Sequence, residues 1–161
     1  MSNLKIILDE TPERFRSVAE QVLPPFIRLF EDYAKQMTPL MERMHEAWEN
    51  NRNGEATEQV HAIYNECMSA KDSLLSGRIT DNIYVSAYDT VPSRFTYFLT
   101  GGTLRFIMKT TKKITIQTLF TDHNDDIIRH KFVLRPSGEE WLIDWFGYGY
   151  DVDGPYRKFE L

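Results

Sequence analysis

The chain has 161 residues, 42% of them hydrophobic and 13% aromatic, with a formal net charge of −5. That length suits one domain, residues 1–161, burying roughly two-thirds of its unfolded surface, and the aromatic share argues against disorder. The acidic balance argues against nucleic acid, whose phosphates need a basic face, and no apolar run approaches the roughly 18 residues of a membrane span.

Near the N-terminus the apolar patch Ile6-Ile7-Leu8 runs directly into Asp9 and Glu10. It is too short for a secretory signal, so a cytoplasmic protein is expected; an extra edge strand here stays open. Thr11-Pro12-Glu13 then supplies a cap, a proline at the first helical position and acid near the positive end of the helix dipole. Phe15, Val18, Ala19 and Val22 follow at helical spacing. Pro24-Pro25 should break or kink this helix, because each lacks an amide hydrogen and crowds the preceding turn. Phe26, Leu29, Phe30, Tyr33 and Met37 resume the phase, and Thr38-Pro39 repeats the start signal before Leu40, Met41, Met44 and Trp48.

The polar run Asn50-Asn51-Arg52-Asn53-Gly54 closes that stretch, and a further helix is expected over residues 56–75, with Val60, Ile63, Tyr64, Cys67 and Leu74 inward. Gly77 is placed to stop it. Cys67 is the only cysteine, which excludes an intramolecular disulfide and a cysteine-based zinc site; its position in the apolar stripe makes it a buried thiol.

From Asp81 the period changes to two. Ile83, Val85 and Ala87 alternate with Tyr84, Ser86 and Tyr88, and Phe95, Tyr97 and Leu99 alternate next. Gly101-Gly102 reads as a hairpin turn, with Leu104, Phe106 and Met108 returning along the partner strand. Lys112-Lys113 marks the next reversal. Ile114, Ile116 and Phe120 form a strand closed by the loop Asp122-His123-Asn124-Asp125-Asp126. Ile128, Phe132 and Leu134 come back, Pro136-Ser137-Gly138 turns the chain, and Trp141, Ile143 and Trp145 finish the sheet. The short turns imply antiparallel neighbours, and the apolar face of the sheet needs the helices as cover. The expected class is α+β: N-terminal amphipathic helices packed on a strongly curved antiparallel sheet of about six strands.

The stretch from Lys131 to Asp144, a strand, the turn Pro136-Ser137-Gly138 and then Trp141-Leu142-Ile143, resembles the last hairpin of the nuclear transport factor 2-like superfamily. The likeness extends more loosely over residues 103–148, while the helical half matches in general order only. The resemblance implies a cone-shaped fold. It reaches isomerases, dehydratases, transport adaptors and the immunity proteins of bacterial polymorphic toxin systems, so it does not by itself assign a function.

His130 shares a face with Ile128, Phe132 and Leu134, where a polar ring must be hydrogen-bonded or useful. A catalytic histidine needs an orienting partner, often a carboxylate, and alternation puts Asp144 on the other face. A satisfied core or rim histidine is the reading preferred. His45 and His61 have no neighbouring ligand types, and the 122–126 loop lacks the glycine and distal glutamate of a calcium loop. No catalytic set, metal site or cofactor motif emerges. Recognition has two candidates: the acidic tip Asp122, Asp125 and Asp126, suited to a basic partner, and the tail residues Tyr148, Tyr150, Asp151 and Asp153, which combine tyrosines and acids on a glycine-loosened chain. Together with the resemblance, this leads to an immunity protein that binds and neutralises a cognate toxin domain by blocking its active site or target surface. The alternative is a small-molecule enzyme of isomerase or dehydratase type using the cone. A homodimer through the sheet is a further option.

Overall fold

A computed structural model describes residues 3–51 and 57–161. In chain order the elements are β1 (Leu4–Ile7), α1 (Glu13–Asn50), α2 (Thr57–Leu75), α3 (Tyr97–Thr100), β2 (Gly102–Thr110), β3 (Lys113–Thr121), β4 (Ile127–Ser137), β5 (Glu140–Tyr150) and β6 (Arg157–Lys158). The class is α+β. The six strands form one open sheet in the order β1-β2-β3-β4-β5-β6, with β1 parallel to β2 and every other pair antiparallel. The sheet is therefore mixed rather than wholly antiparallel, and Ile6 and Ile7 belong to the edge strand that the N-terminal patch left open.

α1 is one helix of 38 residues with Pro24, Pro25 and Pro39 inside it, against the expected break. An interior proline costs about 3 kcal/mol. Here the prolines lie on the exposed face, and the carbonyls they deprive of a donor belong to Glu20, Gln21 and Lys35, all exposed, where solvent can reach the freed acceptors. On the opposite face twelve side chains are buried, from Ala19 to Ala47, and each large one contributes roughly 1.5–3 kcal/mol by leaving water. The stripe outweighs the prolines. Thr11 does not cap the helix either. It is buried, donates its hydroxyl to Phe106 O at 2.7 Å and accepts from Met108 N at 3.1 Å, which pins the entry of α1 to β2.

α2 packs against α1 with Ile63, Cys67, Lys71 and Leu75 buried, while Tyr64 is exposed rather than inward. Gly77, at φ +71, stops the chain just past α2. Arg52, Asn53, Gly54 and Ala56 of the expected boundary lie outside the described residues.

The two strands expected between 83 and 99 do not form. Ile83 and Ala87 are buried and Tyr84 and Tyr88 exposed, so the alternation is real, but this extended segment bonds the last residue instead of a sheet: Leu161 N donates to Tyr84 O and Ser86 N to Leu161 O. At 95–98 the alternation fails, since Phe95, Tyr97 and Phe98 are all buried and the chain closes into the single turn α3. Gly101 ends that turn at φ +134, a conformation side chains resist, and leads into β2, so Gly101-Gly102 is no hairpin.

From β2 to β5 the expected hairpins hold. Leu104, Phe106, Ile114, Ile116, Phe132 and Leu134 form the inner face, and Phe132 meets Phe26 and Phe30 of α1 with ring centroids 5.0 Å away in each case. A bulge interrupts β4–β5: Val133 pairs with Trp145 but Leu134 pairs with Ile143, leaving Asp144 unopposed. Ile143 and Phe146 consequently both face the core, and Trp145 turns outward, where Lys131 lies over its ring at 5.7 Å. The expected single face of Trp141, Ile143 and Trp145 is corrected accordingly; Trp141 is half-buried at the core's edge.

Candidate functional site

One end of the sheet opens into a cavity of about 550 Å³. Its inner wall is buried, formed by Ser93, Tyr97, His130 and Phe146, and its mouth is lined by Asp122, His123, Asp126, Tyr150 and Phe159. β3, β4 and β5 supply one wall, the 122–126 loop borders the mouth, and residues 90–96 close one side.

His130 faces inward from β4, as its register implies, opposite Thr118 on β3 and Tyr148 on β5. Its Nδ1 lies 2.9 Å from the Tyr97 hydroxyl, which lies 2.6 Å from Thr118 Oγ1. Tyr97 in turn stacks on Phe120 at 3.9 Å between centroids. Phe95, Phe120 and Phe146 surround the imidazole at 5.2–5.3 Å. Burial in this aromatic shell pushes the His130 pKa down to about 3, with the Arg94 cation adding to the effect, and burial raises the Tyr97 phenol well above its ordinary value. At neutral pH the whole relay is uncharged.

Among the described residues no carboxylate bonds His130. Asp144 sits at the bulge, where its Oδ1 accepts from Thr80 Oγ1 at 2.7 Å and Asn82 Nδ2 at 2.8 Å, tying the segment before α3 to β5. Asp89, whose side chain is buried, pairs with Arg94 at 3.2 Å and accepts from the Thr90 and Arg94 amides at 2.8 and 3.0 Å. Arg94 is further engaged by Glu160 O and Tyr88 O. This pair holds the cavity's side wall in place.

The residues expected to recognise a partner come from two stretches, and the fold brings them to one end. Ile128 pairs with Tyr150, and Asp151 N donates to Ile127 O at 3.2 Å, so the turn after β5 adjoins the β3–β4 loop. Tyr148 and Tyr150 meet edge to face at 5.6 Å; Tyr148 is half-buried in the cavity wall and Tyr150 is 58% exposed at its mouth. Asp122 and Asp126 line the mouth, whereas Asp125, Asp151 and Asp153 stand exposed outside it. Several of these acids also shape their turns. Asp122 Oδ1 accepts from Asn124 N and Asp126 N, and Asp125 and Asp151 adopt φ of 62 and 60, which aspartate tolerates.

The tail is not glycine-loosened. Tyr148 and Tyr150 belong to β5, and Gly149 is required by close approach: a Cβ there would stand 2.8 Å from Arg129 Nη2 and 2.9 Å from Pro155 O. Residues 151–158 fold back over the outer face, with Tyr156 against the Arg129 guanidinium at 4.5 Å.

No family model, curated protein or solved structure matches the chain. Among the described residues no three His, Cys, Asp or Glu side chains stand close enough to hold a metal ion, and no helix is long and apolar enough to cross a membrane.

Sequence reading missed Tyr97, taken for a strand aromatic, and Thr118. Thr118 was within reach: a hairpin centred on the 122–126 loop sets it opposite His130, and both are polar residues at inward positions. A second feature missed is an exposed aromatic cluster, with Tyr88 lying 5.7 Å from Trp48 and 6.2 Å from Tyr64. It gathers α1, α2 and the 81–96 segment, which no sequence period links.

Proposed function

We propose that this protein acts by binding rather than by chemistry, and that it is an immunity protein. It neutralises a cognate toxin domain by laying the cavity mouth, with Tyr148, Tyr150, Asp122, Asp125, Asp126, Asp151 and Asp153, over the toxin's active site or target surface. The observation that carries this reading is the convergence of tyrosines and acids from two separate stretches on one end of the sheet. Tyrosine gives large contact area at low entropy cost, and carboxylates steer a basic partner into place. Immunity proteins are among the functions hosted by the nuclear transport factor 2-like superfamily that the last hairpin resembles, so a toxin partner is consistent with that resemblance. His130 fits binding better than catalysis, since a ring with a pKa near 3 and no carboxylate partner is a weak proton acceptor.

The cavity itself favours a second reading, a small-molecule enzyme of isomerase or dehydratase type. Its volume lies within the range of ligand sites, and His130 and the Tyr97 hydroxyl lie together in its wall. Co-expression with the product of the adjacent gene separates the two. Stable co-purification and suppression of that product's toxicity support neutralisation; a non-toxic neighbour that does not co-purify removes it.

A further inference from the structure

The cavity has a sharply graded chemistry. Its deep wall is rich in aromatic rings and carries the Tyr97–His130 relay, Ser93, Arg94 and Thr96 line its side, and its mouth carries carboxylates. Asp122 and Asp126 form no ion pair among the described residues, and only one oxygen of Asp122 is engaged by the loop.

The relay is amphoteric. In one arrangement Thr118 donates to the Tyr97 oxygen, the Tyr97 hydroxyl donates to His130 Nδ1, and Nε2 carries the proton. In the other, Nδ1–H donates to the Tyr97 oxygen, Tyr97 donates to Thr118, and Nε2 offers a lone pair. Neither arrangement carries charge, so the inner end answers a donor or an acceptor equally and best matches a hydroxyl, which is both. It gives no charge to a carboxylate, and the nearby Arg94 is already taken by Asp89, Tyr88 O and Glu160 O. An ammonium group would lose its water at this end without an anion to replace it. At the mouth the preference reverses, because Asp122 and Asp126 favour a cation and repel an anion.

We propose that the cavity receives a hydroxyaryl group with a positive charge at its far end, the ring entering between Phe120 and Phe146, the hydroxyl meeting His130 and the cation meeting Asp122 and Asp126. The same chemistry has two sources, a free arylalkylamine or a tyrosine beside lysine or arginine on the partner. The inference rests on the cavity mouth being the recognition surface and names what enters it.

The test is a titration of the labelled intact protein with tyramine, p-cresol and 4-hydroxyphenylacetate, followed by NMR. Tyramine should shift the signals of Thr118, Tyr97 and His130 and bind about tenfold tighter than the acid at low salt, with p-cresol between them and the gap closing as salt rises. The double variant Asp122→Asn/Asp126→Asn should bring the probes together, weakening tyramine and strengthening 4-hydroxyphenylacetate while leaving p-cresol unchanged. Equal affinity for all three probes in the unmodified protein, or shifts that miss the cavity, overturns the proposal without relying on any variant's folding. N-acetyl-Lys-Tyr-Lys-amide distinguishes the sources: the same shifts support an inserted side chain, and exclusion of the peptide while tyramine binds supports a free molecule. Toxin binding that survives when no probe binds would sink this inference alone and leave neutralisation standing. Probe binding in a protein with no toxin partner would do the reverse.

Discussion

The Tyr97 hydroxyl lies 2.9 Å from His130 Nδ1, and this contact joins a single helical turn outside the sheet to the middle of β4. It makes an inward histidine tolerable. The imidazole satisfies one nitrogen on the phenol, the phenol is anchored by Thr118, and the pair is walled by aromatic rings instead of being ionised.

Tyr97→Phe tests the contact directly. It keeps the stack on Phe120 but removes the oxygen between Thr118 and His130, so buried polar groups lose their partner. A loss of about 1–3 kcal/mol is expected in urea unfolding, with a change in the His130 ring nitrogen shifts. Unchanged stability and unchanged shifts would show that the relay is not formed in solution.

The depressed His130 pKa fixes a pH dependence. In the folded protein the ring stays neutral down to about pH 3, whereas the unfolded chain takes up that proton near 6.5. Between those values the unfolded state binds more protons, so stability rises with pH through the window and falls as acid is added. His130→Gln should flatten the unfolding free energy between about pH 3 and 6.5, its ordinary value, and an unaltered slope would contradict the assignment.

Lys71 gives the same sign in a higher window. It is buried, its Nζ donates to Tyr88 O at 2.8 Å and Leu161 O at 3.0 Å, and desolvation brings its pKa down to about 7, with Arg94 adding to the effect. The unfolded chain holds that proton to about 10.5, so this group adds stability as pH rises from 7. Lys71→Met should remove the rise, measured by thermal unfolding from pH 7 to 10. Retention of the full rise would show that another group carries it.

Core and edge aromatics should separate cleanly. Phe132→Ala removes a fully buried ring held between α1 and the sheet and should cost about 3–5 kcal/mol. Trp141 only borders the core, so Trp141→Ala should cost roughly 1–2 kcal/mol. Equal losses in denaturant titration would contradict the register of β5.

How much of this was legible in the sequence depends on which interactions were local. β2 to β5 and the inward register of His130 follow from period two and short turns, because each strand pairs with its neighbour in the chain. The continuity of α1 does not, since whether a proline breaks a helix depends on which face water reaches. The segment at 81–96 misled for a related reason: alternation reports one-sided burial and not the partner, which here is Leu161. The bulge at Asp144 leaves no local mark, and it alone decides that Trp145 faces out and Phe146 in. Of the site, the acids and tyrosines were visible as residue types, while their gathering at one mouth depends on strand pairing across β4 and β5. Tyr97 entered only with α3, whose turn no period announces.

The central claim is that the cavity mouth is the surface that meets a toxin. Hydrogen exchange of the protein alone and in complex with the adjacent gene's product tests it most directly. The account predicts slowed exchange over residues 120–128 and 148–153, weakened together in Tyr150→Ala. Protection centred on Trp48, Tyr64 and Tyr88, with the mouth exchanging at its free rate, would contradict it.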